Sequence, residues 1–131
     1  MPHPNEALIR DWFAAQARAD EAALRALMAD DIVWRVPGRS PLSKDYAGPD
    51  EVLGFFARTR ELSNGTVRPQ LLDLMATDTY AIALVRVFAE RPGKKLDGSL
   101  QAWTFRIAGG RIAEFWFLVE DRYAVDAFWS D

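Results

Sequence analysis

The sequence predicts an α+β fold in which helices come first and a curved, mainly antiparallel sheet follows. Apolar residues recur at helical spacing in the first half of the chain, and from Thr66 onward the pattern becomes extended. The longest apolar stretch, Gln101 to Val119, is interrupted once by glycines, as in a β-hairpin. Helices followed by a run of strands are typical of a sheet that is covered by helices on one face.

Three helices are expected in the first half of the chain, and a fourth at its end. Asn5 can cap the first helix, which carries an apolar stripe at helical spacing, and Asp20 can cap a short second helix. The third begins at Gly48-Pro49, because proline suits the first helical position. Asp121 can cap the final short helix.

The remaining segments are read as strands and loops. Ile32 to Val36 is a short strand that we expect at the edge of the sheet, and residues 39–47 form the one long irregular loop. Two strands are predicted over residues 66–76 and 79–90. Residues 91–98 then form a wide turn before the hairpin.

Two registers compete for the hairpin. A two-residue turn at Gly109-Gly110 would place Phe105 opposite Glu114 and bring the carboxylate among aromatic rings. A three-residue loop from Ala108, with Gly110 as the left-handed residue of a bulge, avoids this burial of an unpaired charge, so it is preferred. In the preferred register one face carries Gln101, Trp103, Phe105, Ile107, Ala113, Phe115, Phe117 and Val119, and the other carries Thr104, Arg106 and Glu114.

Composition limits the classes of function. The 131 residues fit a single domain, 1–131, with 50% hydrophobic and 27% charged residues. A net charge of -3 gives no electrostatic help to nucleic acid binding, and no apolar run approaches a membrane span. The chain contains no cysteine, and its start, MPHPNEAL, does not resemble a secretory signal. We therefore expect a cytoplasmic protein without nucleic acid or membrane partners.

Acid-base and metal chemistry have few candidates. The one histidine, His3, lies in a terminus that we expect to be frayed, and no cluster of metal-ligating residues is apparent, so neither a metal nor a cofactor is expected. Asp45 and Tyr46 are weak catalytic candidates because binding residues concentrate in long loops, although the segment also fits an ordinary solvated loop. Asp121 is a third weak candidate, with helix capping as its alternative.

Aromatic residues give a stronger signal than the carboxylates. In the preferred register they converge on one side of the sheet, where they either fill a core or line a cavity for a flat apolar ligand, with Gln101 and Tyr46 as polar anchors. The predicted ligand-binding set from this argument is Trp34, Val36, Tyr46, Phe56, Gln101, Trp103, Phe105, Phe115 and Phe117.

The other face of the hairpin carries a second apolar set. We expect it to form a contiguous patch on the outside of the sheet, which suggests an interface. A symmetric homodimer through this face is therefore predicted. The residues proposed for the interface are Leu100, Ile112, Trp116 and Leu118.

Taken in order, these pieces resemble a known family. Two helices, a short strand ending in VPG, a helix opened by GPDEVLGFF, and strands ending in GGRIAEFWFLVED resemble the NTF2-like superfamily, and most closely its SnoaL-like branch. The resemblance covers nearly the whole chain. It implies a cone-shaped half-barrel with helices packed on the concave face of the sheet, an apolar pocket between them, and often a dimer. Relatives include ketosteroid isomerase and polyketide cyclases as well as proteins without chemistry.

The resemblance does not transfer a catalytic residue. The general-base aspartate of the isomerases falls at Val36, their tyrosine at Trp12 and their protonated aspartic acid at Trp103, while the cyclase aspartate falls at Phe117. Trp12 joins the predicted ligand-binding set through this comparison. We expect a protein that binds a small apolar, ring-containing molecule, with an isomerase or cyclase activity left open. The alternative is a non-catalytic ligand carrier or dimeric scaffold.

Overall fold

The computed structural model describes residues 3–131 and consists of helices packed on the concave face of a curved, open sheet. Six strands lie in the order β2-β1-β6-β5-β4-β3, with β1 parallel to β6 and all other neighbours antiparallel. The predicted α+β half-barrel is therefore confirmed. The elements are α1 (Pro4–Arg18), α2 (Glu21–Ala26), β1 (Met28–Arg35), β2 (Asp45–Ala47), α3 (Gly48–Ser63), β3 (Arg68–Ala76), β4 (Tyr80–Arg91), β5 (Lys94–Ala108), β6 (Arg111–Val119) and α4 (Arg122–Trp129).

Helix α1 begins earlier than predicted, because His3 rather than Asn5 is its cap. Nδ1 of His3 accepts a hydrogen bond from the backbone N–H of Asn5, and the backbone N–H of His3 donates one to the carboxylate of Glu6. Pro4 follows as the first helical residue, which needs no N–H partner. Nε2 of His3 also lies 2.7 Å from Oδ1 of Asp78, so the expectation of a frayed terminus at this residue is wrong. The predicted caps at Asp20 and Asp121 are confirmed.

The first strand is longer than predicted and does not lie at the edge. Strand β1 begins at Met28, shortly after α2, because Met28 and Ile32 are both buried in the core and the strand pairs with β6 at Met28 and from Val33 to Arg35. A short strand within the predicted loop, β2, pairs with Val33 to Arg35 and forms the edge of the sheet. The loop that precedes β2 is therefore held at both ends, and it closes one end of the concave face.

The turn between β4 and β5 is tighter than the wide turn predicted. The two strands pair up to Arg91 and Lys94, so only Pro92 and Gly93 connect them. Gly98, with φ +85°, forms a bulge within β5, and a Cβ there would contact the ring of Phe88. Strand β5 consequently extends seven residues further than the predicted start at Gln101.

The β5–β6 hairpin has the predicted distribution of side chains between its two faces over most of its length, but a different loop. Gly109 and Gly110, both with positive φ, form a two-residue turn, and the bulge lies at Ile112 and Ala113 instead of at Gly110. Beyond this bulge Phe105 pairs with Phe115 and Arg106 with Glu114, so the aromatic and charged residues lie on separate faces, as predicted. Ile112 is the exception, since it is fully buried in the core and the prediction that it belongs to the outer interface is wrong.

Aromatic rings fill much of the space between the sheet and the helices. Trp34 stacks on Phe115 with 3.7 Å between ring centroids, and both residues are almost fully buried. Phe13 of α1 stacks on Trp103 of β5, which joins the first helix to the sheet.

Within residues 3–131 no helix has the length and hydropathy needed to cross a membrane. The cytoplasmic location stays a prediction.

Candidate functional site

A cavity of about 120 Å³ lies between the concave face of the sheet and helices α1, α3 and α4. It exists because the inward side chains of β1, β5 and β6 meet the helices without filling the last space near α4. The aromatic residues that line it are Trp12, Trp34, Phe55, Phe56, Trp103, Phe117 and Trp129, and the polar or charged ones are Gln16, Ser40, Thr59, Gln101, Arg122 and Asp126.

Most of the residues predicted to bind a ligand do line this cavity, and three do not. Phe105 and Phe115 point toward the helices but are completely buried in the packed core beneath the cavity. Tyr46 packs against Phe55, and its hydroxyl donates a hydrogen bond to the carbonyl of Leu42, so it supports the wall from behind. The predicted residues that line the cavity are Trp12, Trp34, Val36, Phe56, Gln101, Trp103 and Phe117.

Polar groups within the cavity wall are few and partly engaged. Oε1 of Gln101 accepts a hydrogen bond of 2.8 Å from Nε1 of Trp103, and this bond fixes both side chains. The indole N–H groups of Trp12 and Trp34 have no acceptor among residues 3–131, although both side chains are buried. An unpaired buried donor costs about 1–3 kcal/mol.

The mouth of the cavity is formed by α4 and by the loop after β1. Arg122 and Asp126 lie four residues apart on α4, which places them on one face of the helix, and both line the cavity. Gly38, with φ +99°, allows the carboxylate of Asp126 to lie against the loop, because any side chain at residue 38 would collide with it. The sequence reasoning missed Asp126. The helical spacing of Arg122, Val125, Asp126 and Trp129 is the one signal that could have revealed this face.

The three weak catalytic candidates lie elsewhere. Asp45 is exposed and forms an ion pair of 2.7 Å with Arg35 on the outer side of the sheet. Burial raises the pKa of Tyr46, whose hydroxyl is already bonded to Leu42. The carboxylate of Asp121 accepts from the backbone N–H of Ala124 as the cap of α4. None of these three side chains lines the cavity of the described chain.

A charged network occupies the outer face of the sheet, opposite the cavity. Glu114 accepts hydrogen bonds from Nε of Arg35 at 2.6 Å and from Nε of Arg106 at 3.0 Å. Partial burial alone would raise the pKa of Glu114, but the bonds and charges of the two arginines outweigh it, so the pKa lies below its usual range. The predicted separation of Arg106 and Glu114 from the aromatic face is confirmed by this pairing.

A wider groove adjoins the cavity on the side of the C-terminal ends of α1 and α3. It has a volume of about 940 Å³ and carries charges of both signs from Arg60, Arg68, Glu90, Lys95 and Asp97. Trp12 and Trp103 belong to the walls of both spaces.

Across residues 3–131, no group of three or more acidic or histidine side chains is arranged to hold a metal ion.

Comparisons with known proteins place this geometry in context. Residues 9–115 match the family model described as a SnoaL-like domain. An uncharacterized protein of Mycobacterium tuberculosis is 36% identical over 124 residues, covering 94% of each chain. Among solved structures, Bal32a from a soil-derived mobile gene cassette is 30% identical and has a TM-score of 0.91, with 96% of each chain covered. A putative polyketide cyclase from Sinorhizobium meliloti, 19% identical, has a TM-score of 0.71 over 90% of this chain and 95% of its own, and shares the fold.

Proposed function

This chain belongs to the SnoaL-like domain family, with the NTF2-like fold, and from that premise we propose that it binds a small, ring-containing molecule in the aromatic-lined cavity. The observation that carries the proposal is the cavity itself. Aromatic rings from α1, α3, β1, β5, β6 and α4 surround one partly open space, and the rings of a flat ligand would pack edge-to-face or stacked against them.

The size of the cavity limits the ligand. A volume of about 120 Å³ is below the ~300 Å³ of ordinary ligand pockets, and it is close to the engineered cavity of about 150 Å³ that holds benzene. We therefore propose a ligand of roughly one six-membered ring inside the cavity. A longer ligand would reach the neighbouring groove past the residues that line both spaces, which are Trp12, Gln16, Thr59, Val67 and Trp103.

An isomerase or cyclase reaction is the finer form of this proposal. Its support is the family match together with the shared fold of a putative polyketide cyclase. The positions at which catalytic relatives carry their acids and tyrosine are occupied here by Trp12, Val36, Trp103 and Phe117, and all four line the cavity. A reaction in this protein would therefore need a carboxylate at a different place.

A non-catalytic ligand carrier is the second candidate. The observation that favours it is the same substitution of apolar side chains at all four positions, since general acid-base catalysis needs an ionisable group near the reacting atoms. Stacking such as that between Trp34 and Phe115 also makes the region resemble a core more than an open active site. The carrier and the enzyme share the ligand class and differ in whether the ligand leaves unchanged.

Intrinsic fluorescence tests the binding proposal. Four of the five tryptophans, Trp12, Trp34, Trp103 and Trp129, line the cavity, whereas Trp116 lies on the outer face. Single-ring compounds should give a saturable change in emission that persists in Trp116→Phe. Two-ring compounds of the same polarity should bind more weakly. A library of ring compounds without any saturable response would contradict the proposal, and mass analysis of a bound compound after incubation separates enzyme from carrier.

We also propose a symmetric homodimer through the outer face of the sheet. Leu118 is 56% exposed, and it lies near half-buried Trp116 on the same strand and half-buried Leu100 and Ala102 on the adjacent strand β5. Ile82 of β4, 38% exposed, lies in the same row as Trp116, which extends the patch across three strands. A second copy of the chain would cover this contiguous apolar surface.

A further inference from the structure

The cavity wall contains one carboxylate among the described residues, and it belongs to α4. Asp126 lies on the inner face of this helix between Val125 and Trp129, both of which also line the cavity. The helix is held in place at its C-terminal end, where Nη1 of Arg91 donates to the carbonyls of Phe128 and Ser130. The position of Asp126 is therefore fixed by the fold and not by a mobile terminus.

The side chain of Asp126 is not used to hold the structure together. Its backbone carbonyl accepts hydrogen bonds from the N–H and the hydroxyl of Ser130, whereas its carboxylate has no hydrogen-bond or salt-bridge partner among residues 3–131. Asp121 provides the contrast within the same helix, since its carboxylate caps the first turn. A half-buried carboxylate beside an apolar cavity, with no partner of its own, is available to a ligand.

The loop opposite α4 is shaped around this carboxylate. Gly38 has φ +99°, a conformation that side-chain-bearing residues rarely adopt, and a Cβ at this position would lie 2.9 Å from the carboxyl carbon of Asp126. The loop is itself pinned, because the hydroxyl of Ser43 donates to the carbonyl of Pro37. The backbone thus approaches the carboxylate closely at the mouth of the cavity.

We propose that Asp126 binds the polar group of the ligand, and that the ligand is a ring bearing a hydrogen-bond donor, of the phenol or cyclic alcohol class. This inference rests on the proposed function, since it names the chemistry of the ligand in the same cavity. The ring occupies the aromatic space, and its hydroxyl donates to the carboxylate at the mouth. Arg122, one turn away on the same face, adds a donor for an acceptor group next to that hydroxyl.

A comparison of two ligands of nearly equal shape tests the assignment. Phenol and fluorobenzene fill similar space, but only phenol donates a hydrogen bond. In a cavity without a partner for the hydroxyl, fluorobenzene should bind more tightly, because burying an unpaired hydroxyl is costly. With Asp126 as the acceptor, phenol should bind about tenfold more tightly, since a hydrogen bond to a charged group contributes about 1.5 kcal/mol or more and 1.4 kcal/mol corresponds to tenfold.

The experiment is an NMR-detected titration of the wild-type chain, Asp126→Asn and Asp121→Asn with each ligand. Asp121→Asn is the matched control, because it makes the same change on the same helix outside the cavity and keeps a capping side chain. We expect the advantage of phenol to be reduced in Asp126→Asn, because the neutral amide oxygen is a weaker acceptor than the carboxylate, and to remain complete in Asp121→Asn. Circular dichroism verifies that both variants are folded. The comparison of phenol with fluorobenzene in the wild-type chain does not depend on the variants.

The outcomes separate this inference from the function on which it rests. If both ligands bind the wild-type chain and phenol has no advantage, or if Asp126→Asn keeps the full advantage of the wild type, Asp126 is not the ligand's partner, although the cavity still binds a ring compound. If neither ligand produces a saturable shift, the proposed function fails and this inference fails with it.

Discussion

The carboxyl group of Asp126 occupies the space that a side chain on residue 38 would need, which Gly38 leaves empty. This relationship brings α4 and the loop after β1 together at the mouth of the cavity. It makes two residues that are 88 positions apart depend on one another, because the carboxylate can keep its place only while residue 38 has no Cβ.

Gly38→Ala should therefore affect both stability and binding. The positive φ alone should cost about 1–3 kcal/mol for a residue with a Cβ, and the methyl group should push the Asp126 side chain aside. We expect a lower melting temperature and a loss of the preference for phenol over fluorobenzene. Gly54→Ala is the control, since its added Cβ meets no atom within 4 Å and lies in helix α3. Equal behaviour of the two variants would contradict the close approach at Gly38.

Phe115→Ala should strongly destabilise the protein. The ring is fully buried and stacked on Trp34, so its removal leaves a cavity in the core and should lower the free energy of unfolding by about 3–5 kcal/mol. Tyr123→Ala, at a side chain that is 85% exposed, should change it by less than about 0.5 kcal/mol. Chemical denaturation measures both. A decrease of less than about 1 kcal/mol for Phe115→Ala would contradict the assignment of this ring to the packed core.

Glu114→Gln should reduce stability at neutral pH and not at acid pH. The pKa of Glu114 in the folded chain lies below its usual range, so its contribution is present above the unfolded pKa of about 4.3 and is lost as the pH falls through the folded value. We expect a difference of about 1 kcal/mol from the wild type above pH 5. Denaturation at several pH values should show this difference shrinking in acid, and a constant difference would contradict the ion-pair account.

Leu118→Asp should abolish the proposed homodimer. The mutation places a charge in the middle of the apolar outer face, where a partner would have to bury it. Sedimentation equilibrium should give about twice the chain mass of 14.8 kDa for the wild type and the single-chain mass for the variant. Arg58→Asp, on the exposed part of α3, is the control for added acidic charge. A wild-type protein that sediments as a single chain at micromolar concentration would contradict the dimer.

The β5–β6 hairpin shows which features of the fold can be predicted from the sequence and which cannot. Burial of a charged side chain among rings is costly, and this rule correctly placed Phe105 and Phe115 on one face and Arg106 and Glu114 on the other. It did not locate the bulge, because a bulge at Gly110 and one at Ile112-Ala113 put the same strand residues beyond Ala113 on the inner face, although their partners differ by two residues. The position of the bulge determines which way Ile112 points, and in the structure Ile112 is buried beside β1 and the end of α2.

The site was harder to predict than the fold. Alternation along the strands placed Trp34, Trp103 and Phe117 on the inner face, but it could not tell which inward rings touch a cavity and which, like Phe115, are buried beneath it. Asp126 was not predicted as a site residue, because the side of α4 that faces the cavity depends on how the helix packs on the sheet. Contacts between distant parts of the chain decide both questions.

The indole N–H signals of the five tryptophans provide the most direct test of the binding cavity. Each is resolved and assigned by Trp→Phe variants in a two-dimensional nitrogen–proton spectrum, and the uniformly labelled chain is then titrated with phenol. The proposed cavity predicts saturable shifts of the signals from Trp12, Trp34, Trp103 and Trp129, while the signal of Trp116 on the outer face stays in place. Unchanged signals for the four cavity tryptophans, or a shift confined to Trp116, would contradict it.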